Sequence, residues 1–308
     1  MLDKSQSSSI ATPRWKTNRT TSLLIITLGY VIATLVGLIV YHNAGLNIWM
    51  NLLAADVAAT LVIWVCSLVL SNASVYDPYW SVQPAVILPL LTLDQTRLSL
   101  PAIMVGLIIM VWGTRLTANW ITTFKGLHQQ DWRYDLIKKQ AGPFYQLANL
   151  FGIQLMPTAI VFACILPAVH LILTAPSFSA SILPGLLVSL TGFLLETVAD
   201  RQMHAFRQQT TDRSIIMRQG LWKHSRHPNY LGEILMWWGV FLVFLAMDPA
   251  AWWLGLGTVL NTLLFLFISI PMAEKRLAGY KSDFEEYRKN TRMLLPLSKK
   301  AAHKILLF

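Results

Sequence analysis

SLLIITLGYVIATLVGLIVY, residues 22–41, runs for 20 residues without a charged side chain. At about 1.5 Å of rise per residue, such a run spans a hydrocarbon core about 30 Å thick as one helix. The stretches 48–70, 99–119, 146–173, 182–199, 233–247 and 250–270 read the same way. A shorter run at 84–96, broken by Pro84 and Pro89, either crosses or re-enters. The apolar runs are continuous and do not alternate as barrel strands do. The expected fold is therefore all-α and integral to a membrane: a bundle of seven or eight transmembrane helices with long basic cytoplasmic loops.

Composition leads to the same place. Of the 308 residues 55% are apolar and 13% charged, against about 25% charged in a soluble domain. Segments 1–21, 120–143, 200–232 and 271–308 hold 23 of the 25 Lys and Arg residues. With 84–96 counted as a crossing, all four fall on one face. Cytoplasmic loops carry the excess of basic residues, which puts both termini inside. Topology and anionic headgroups account for the net charge of +10, and a nucleic-acid partner is not needed. The polar tail before residue 22 lacks a small-residue cleavage site, so the first span reads as retained. Cys66 and Cys164 lie in apolar spans and imply no disulfide or zinc site. Trp49, Trp80, Trp120, Trp132 and Trp222 near span ends suit interfacial anchoring.

No repeat or linker divides the chain, so 1–308 reads as a single polytopic domain. Its chemistry is expected within 196–292, where long polar loops alternate with spans. In LLETVADRQMHAFRQQ (194–209), Glu196, Asp200, His204 and Arg207 share one helix face. A carboxylate as deep as Glu196 needs a partner or a ligand, because burying it alone costs at least about 2.5–3.5 kcal/mol. An intrahelical ladder from Asp200 to Arg201 or Arg207 explains that face as well as a site does. In QGLWKHSRHPNYLGEILMWWG (219–239), Pro228 opens a helix on which Asn229, Glu233 and Trp237 align. Arg226 and His227 stand at its N-terminus, where an anion is favoured. A cationic mouth backed by a buried carboxylate suits a phosphate-bearing or carboxylate-bearing ligand better than a plain basic loop.

In the tail PMAEKRLAGYKSDFEEYRKNTRMLLP (271–296), Arg276 and Tyr280 are the candidates, while Lys299, Lys300 and Lys304 read as lipid-facing. In the first half, Asp77 sits in VYDPYWSVQP (75–84) and Arg115 in VWGTRLTANW (111–120). Asp56 and His42 read as packing or loop residues. No P-loop, GxGxxG, GxSxG or metal-ligand spacing occurs, so a nucleotide would have to bind between helices.

These motifs resemble the steroid 5α-reductase superfamily, notably its bacterial membrane branch with a steroid 5α-reductase C-terminal-like domain. The resemblance rests on E-x3-A-D-x-Q (Glu196 to Gln202), G-L-W-x-x-S-R-H-P-N-Y-x-G-E (Gly220 to Glu233) and F-E-x-Y…L-x-P (Phe284 to Pro296). It is firmest over about 190–296, which it marks as a cofactor-binding region. It implies an NADPH-dependent (or NADH-dependent) oxidoreductase that reduces a C=C bond conjugated to a carbonyl. The substrate would be a lipophilic steroid-like, sterol-like or isoprenoid-like enone, entering from the bilayer of a bacterial inner membrane.

By position the resemblance assigns cofactor contacts to Glu196, Asp200, Arg207, Arg226, His227, Asn229, Tyr230, Glu233, Arg276 and Tyr280. Catalytic roles fall to Asp77 and Arg115. The chain departs from the steroid enzymes at Ser214 and Ile215, where they carry Tyr-Arg, and at Met236 and Met272. Isoprenylcysteine carboxyl methyltransferases share the R-H-P-x-Y-x-G turn and bind S-adenosylmethionine, and Glu274 would fit their tail. A non-catalytic lipid-binding protein is the third reading.

Overall fold

The computed structural model describes residues 13–295. Pro296, Lys299, Lys300 and Lys304 lie outside them. Among the described residues the principal helices are α1 (Arg19–Asn43), α2 (Ile48–Leu70), α3 (Tyr79–Leu93), α4 (Leu100–Thr123), α5 (Trp132–Thr174), α6 (Ala180–Gln209), α7 (Pro228–Met247), α8 (Pro249–Ala278) and α9 (Phe284–Asn290). All but α3 and α9 are long and apolar enough to cross a membrane, which makes seven among the described residues. The protein is an all-α integral membrane protein. Among the described residues no strand forms, only an isolated parallel bridge between Ser225 and Arg292.

Element ends follow local chemistry. The Asn47 side chain caps α2 by accepting the Met50 N–H at 3.0 Å. Ser71 ends that helix in a left-handed conformation at φ 51°. Hydropathy ends the fifth long run near 199, yet α6 continues to Gln209. Its last turns are polar on the face carrying Asp200, His204 and Arg207, and a helix needs no apolar continuation once it has left the hydrocarbon. Pro228 at the first position starts α7 before the expected 233. The stretch 84–96 is observed as the 15-residue α3, which starts at Tyr79 and contains both prolines. Within α5 a π-helical segment, Ala148–Leu155, joins the polar Trp132–Ala141 helix to the apolar Met156–Thr174.

Contacts divide the chain into two compact units, one of residues up to 86 with 113–159, the other of 87–112 with the chain from 160 onward. In the first unit, Gly37 of α1 sits against Ala55 and Ala59 of α2. Tyr30, Tyr76 and Tyr79 cluster beside them: Tyr76 and Tyr79 stack at 5.4 Å, and the Tyr30 hydroxyl donates to the Val75 carbonyl at 2.9 Å. In the second unit the α6–α7 pair is packed backbone to backbone. Gly185 and Gly192 on α6 face Gly232 and Gly239 on α7. A Cβ on Gly185 would lie 2.6 Å from Val243 N, and one on Gly232 would lie 2.5 Å from Glu196 N. Ser189 closes the seam by donating to the Met236 carbonyl at 2.8 Å. Small residues matter here because apolar surface gains nothing by leaving lipid, so close packing and interhelical hydrogen bonds carry the association.

Candidate functional site

The glycine seam sets the site. Because Gly232 has no side chain, α7 approaches α6 at Glu196, and Glu233 follows in the next position. Both carboxylates are buried, at 3% and 7% exposure. Asn229 and Tyr230, one turn earlier on α7, are half-buried. The Tyr230 ring stacks on His227 at 5.3 Å and meets Phe265 of α8 at 4.8 Å. Thus Glu196, Asn229, Tyr230 and Glu233 come together at the start of α7.

A folded collar stands above them, built from the three motifs singled out in the sequence. Gly220 needs its positive φ of 55°, and any Cβ there would strike the Gln202 carboxamide. That carboxamide accepts the Leu221 N–H at 2.9 Å, and the Trp222 indole donates to the Ala199 carbonyl at 3.0 Å. The A-D-x-Q helix end and the G-L-W turn therefore interlock. The tail joins them through α9: Phe284 and Tyr287 are buried, and the Tyr287 hydroxyl donates to the Trp222 carbonyl. Burial pushes the Tyr287 hydroxyl pKa well up, so it remains a donor.

Arg226 is engaged within this collar. Its guanidinium meets Glu274 at 2.7 Å and donates to the carbonyls of Arg288 and Thr291 at 3.2 and 2.5 Å. His227 Nε2 lies 3.1 Å from the same Glu274 oxygen. Sequence reasoning placed both residues in a phosphate-facing mouth and gave Glu274 a part only in the methyltransferase pattern. The structure adds that Glu274 links the turn to α8. The complementary signs of Arg226 and Glu274 were visible, but 48 residues of separation hid the pairing.

Farther out, Asp200 is half-buried, while Arg207, Arg276 and Tyr280 are exposed. Arg207 lies near Lys281, a residue sequence reasoning passed over. Burial first, and then the Arg207 charge, hold the Lys281 ammonium below its usual pKa. Lys281 Nζ also donates to the Ile215 carbonyl. Two cations held together are relieved by an anion, so this pair is a candidate phosphate contact.

Asp77 and Arg115 belong to the first unit. The Tyr134 hydroxyl donates to Asp77 Oδ1 at 2.6 Å. Burial raises the Asp77 carboxyl to about 6, against the opposing pull of Tyr134 and the Arg133 charge. The same unit holds a cluster that sequence reasoning left as packing. Asp56 is 3% exposed and accepts from Tyr79 Oη at 2.8 Å and Gln83 Nε2 at 2.5 Å. Tyr76 and Thr60 both meet the Thr158 hydroxyl, at 2.9 and 3.1 Å. A mid-span Asp was the available signal. Among the described residues no group of three or more His, Cys, Asp or Glu could hold a metal ion.

The second unit has a further buried polar residue that sequence reasoning missed, Asn261 of α8, 1% exposed. Neither atom of its carboxamide has a hydrogen-bond partner among the described residues.

Residues 63–292 match the family model described as a protein of unknown function, DUF1295. The steroid 5-alpha-reductase DET2 of Arabidopsis thaliana is 29% identical over 114 residues, covering 36% of this chain and 40% of that protein. The chain thus matches well under two thirds of that relative's length. No solved structure matches significantly. By the extent of the family match, and by that relative, the chain is a member of the DUF1295 family within the steroid 5α-reductase superfamily.

Proposed function

We propose that this protein is a membrane reductase that uses NADPH, or NADH in its place, to reduce a C=C bond conjugated to a carbonyl in a lipophilic substrate. The observation that carries this reading is the glycine seam, which sets two buried carboxylates beside the Asn229–Tyr230 turn with the cations Arg207 and Lys281 farther out. A dinucleotide has the same polarity, anionic along its diphosphate and rich in hydrogen-bond donors at its nicotinamide amide. Asn229 and Glu233 would hold the nicotinamide end, Glu233 at its amide. Asp200, Arg207, Arg276 and Tyr280 would hold the nucleotide, with Arg226 and His227 keeping the turn in place. When bound, the cofactor supplies a hydride.

The chain's own groups would bind, orient and exclude water. Asp77, with its pKa near 6 and its hydroxyl donor Tyr134, is the proposed acid for the substrate carbonyl, and Arg115 is proposed to stabilise the charge that develops there. The superfamily relative bears a steroid reductase's name, which supports a lipophilic enone reaching the protein through lipid. A bacterial inner membrane with cytoplasmic termini fits the basic loops.

A methyltransferase is the second reading, favoured by one observation. Glu274 holds both Arg226 and His227, the residues of the turn that such enzymes share. Titration of the detergent-purified protein with NADPH and with S-adenosylmethionine separates the two. Saturable NADPH binding, with NADPH oxidised when an enone is added, is expected. Binding of the methyl donor alone would replace the reductase with the methyltransferase.

A further inference from the structure

Asn261 lies in a helix where a carboxamide without partners is costly. Burying an amide unpaired costs roughly 1–3 kcal/mol, and leucine would fill similar space without that cost. The position is not peripheral. Thr258 and Phe265, three residues before Asn261 and four after it, lie on the same side of α8. Thr258 Oγ1 approaches the Trp237 carbonyl at 3.4 Å, and Phe265 packs on Tyr230 at 4.8 Å. Between these two contacts α7 presents Glu233 and Ile234, so Asn261 faces that stretch. The third neighbour is α5. Any Cβ on Gly257 would strike Ala163 and Cys164, and Glu233 is within electrostatic reach of the Cys164 thiol.

Two more polar atoms in the same unit share this condition. The indole N–H groups of Trp237 and Trp112, both fully buried, have no acceptor among the described residues. Their rings meet edge to face at 5.0 Å. Trp237 follows Glu233 by one turn on α7. Along this stretch, then, stand a carboxylate acceptor, an amide with one acceptor and two donor hydrogens, and two indole donors.

We infer that Asn261 is a ligand-binding residue, and that with Glu233 and the Trp237 indole it receives a primary carboxamide. Such a group offers two N–H donors and one oxygen with two lone pairs. Asn261 Oδ1 and Glu233 take one N–H each, while Asn261 Nδ2 and Trp237 Nε1 donate to the oxygen. A lone ketone would leave the Asn261 oxygen unserved. This rests on the reductase reading, in which the carboxamide is that of the nicotinamide, and it makes Asn261 the residue that selects that ring substituent.

The test uses full-length protein in detergent, reduced NADPH, and the reduced 3-acetylpyridine analogue, whose acetyl group keeps the oxygen and lacks the N–H donors. Wild type should bind NADPH about tenfold more tightly than the analogue. Asn261→Leu should weaken NADPH about tenfold, leave the analogue much less affected, and raise the ligand-free unfolding temperature. Trp237→Phe should weaken both ligands by a similar few-fold factor. NADPH binding unchanged in Asn261→Leu, with wild type binding normally, overturns the role of Asn261 alone. A lowered ligand-free unfolding temperature with equal loss of both ligands makes Asn261 a packing residue and overturns it too. Wild type that binds no reduced nicotinamide nucleotide overturns the reductase reading and this inference together.

Discussion

Gly232 of α7 lies against Glu196 of α6 so closely that a methyl group on it would sit 2.5 Å from the Glu196 backbone nitrogen and 2.6 Å from its Cβ. Neither backbone can yield without separating the helices along the seam. Gly232→Ala is therefore expected to destabilise the protein by about 1–3 kcal/mol through overpacking. It should also shift Glu196 and weaken NADPH binding. Gly106, where an added Cβ would meet nothing within 4 Å, is the control: Gly106→Ala should leave NADPH binding unchanged and cost no stability. Thermal unfolding with a parallel NADPH titration reads both, and an unperturbed Gly232→Ala would contradict the seam.

The collar makes a second prediction. Arg226 and Glu274 are mostly buried, at 10% and 15% side-chain exposure. Removing one partner strands the other, at a cost of about 3–5 kcal/mol, whereas replacing both with apolar groups can be nearly neutral. Arg226→Met should thus lower the unfolding temperature markedly, and adding Glu274→Met should restore much of it. Additive losses in the double variant would mean that the two charges act separately.

Tyr287 tests the tail. Its hydroxyl serves the Trp222 carbonyl and lies 3.3 Å from the Ser225 carbonyl, all buried. Tyr287→Phe should cost about 1–2 kcal/mol by leaving a buried carbonyl unserved. Limited proteolysis should then cleave the 284–295 segment faster than in wild type, and equal rates would contradict the clamp.

Much of this fold was legible because lipid is an undemanding solvent to read. A run such as 22–41 admits one interpretation, and α2 begins and ends where hydropathy places it. Ends outside the hydrocarbon were harder. The polar continuation of α6 to Gln209 obeys helix propensity and not hydropathy. At the site, Glu196 and Glu233 were conspicuous because a carboxylate in an apolar run needs a reason. Asn261 was not, since a single Asn in LGTVLNTLL carries no charge and its lack of partners exists only in three dimensions. The pairings of Gly220 with Gln202 and of Arg226 with Glu274 were hidden for the same reason. Each joins segments far apart in sequence, and no periodicity encodes that.

Asp77 gives a pH signature. Burial lifts its carboxyl from 3.8 to about 6, so between those values the folded protein holds a proton that the unfolded chain releases. Stability from this group is present in full below about pH 3.8 and is lost as pH rises to about 6. The unfolding temperature of wild type should fall across that window relative to Asp77→Asn, and Tyr134→Phe should extend the fall to higher pH. Parallel profiles for wild type and Asp77→Asn would contradict the buried carboxyl.

The dissociation constant of NADPH for Glu233→Gln, measured beside wild type and Arg207→Ala, bears most directly on a nucleotide lying along α6 and α7. Glu233→Gln should bind about tenfold or more weakly, because it loses a charged acceptor. Arg207→Ala should bind more weakly too, with a shallower dependence on salt. Unaltered NADPH affinity in both variants, with wild type saturating normally, would place the nucleotide elsewhere.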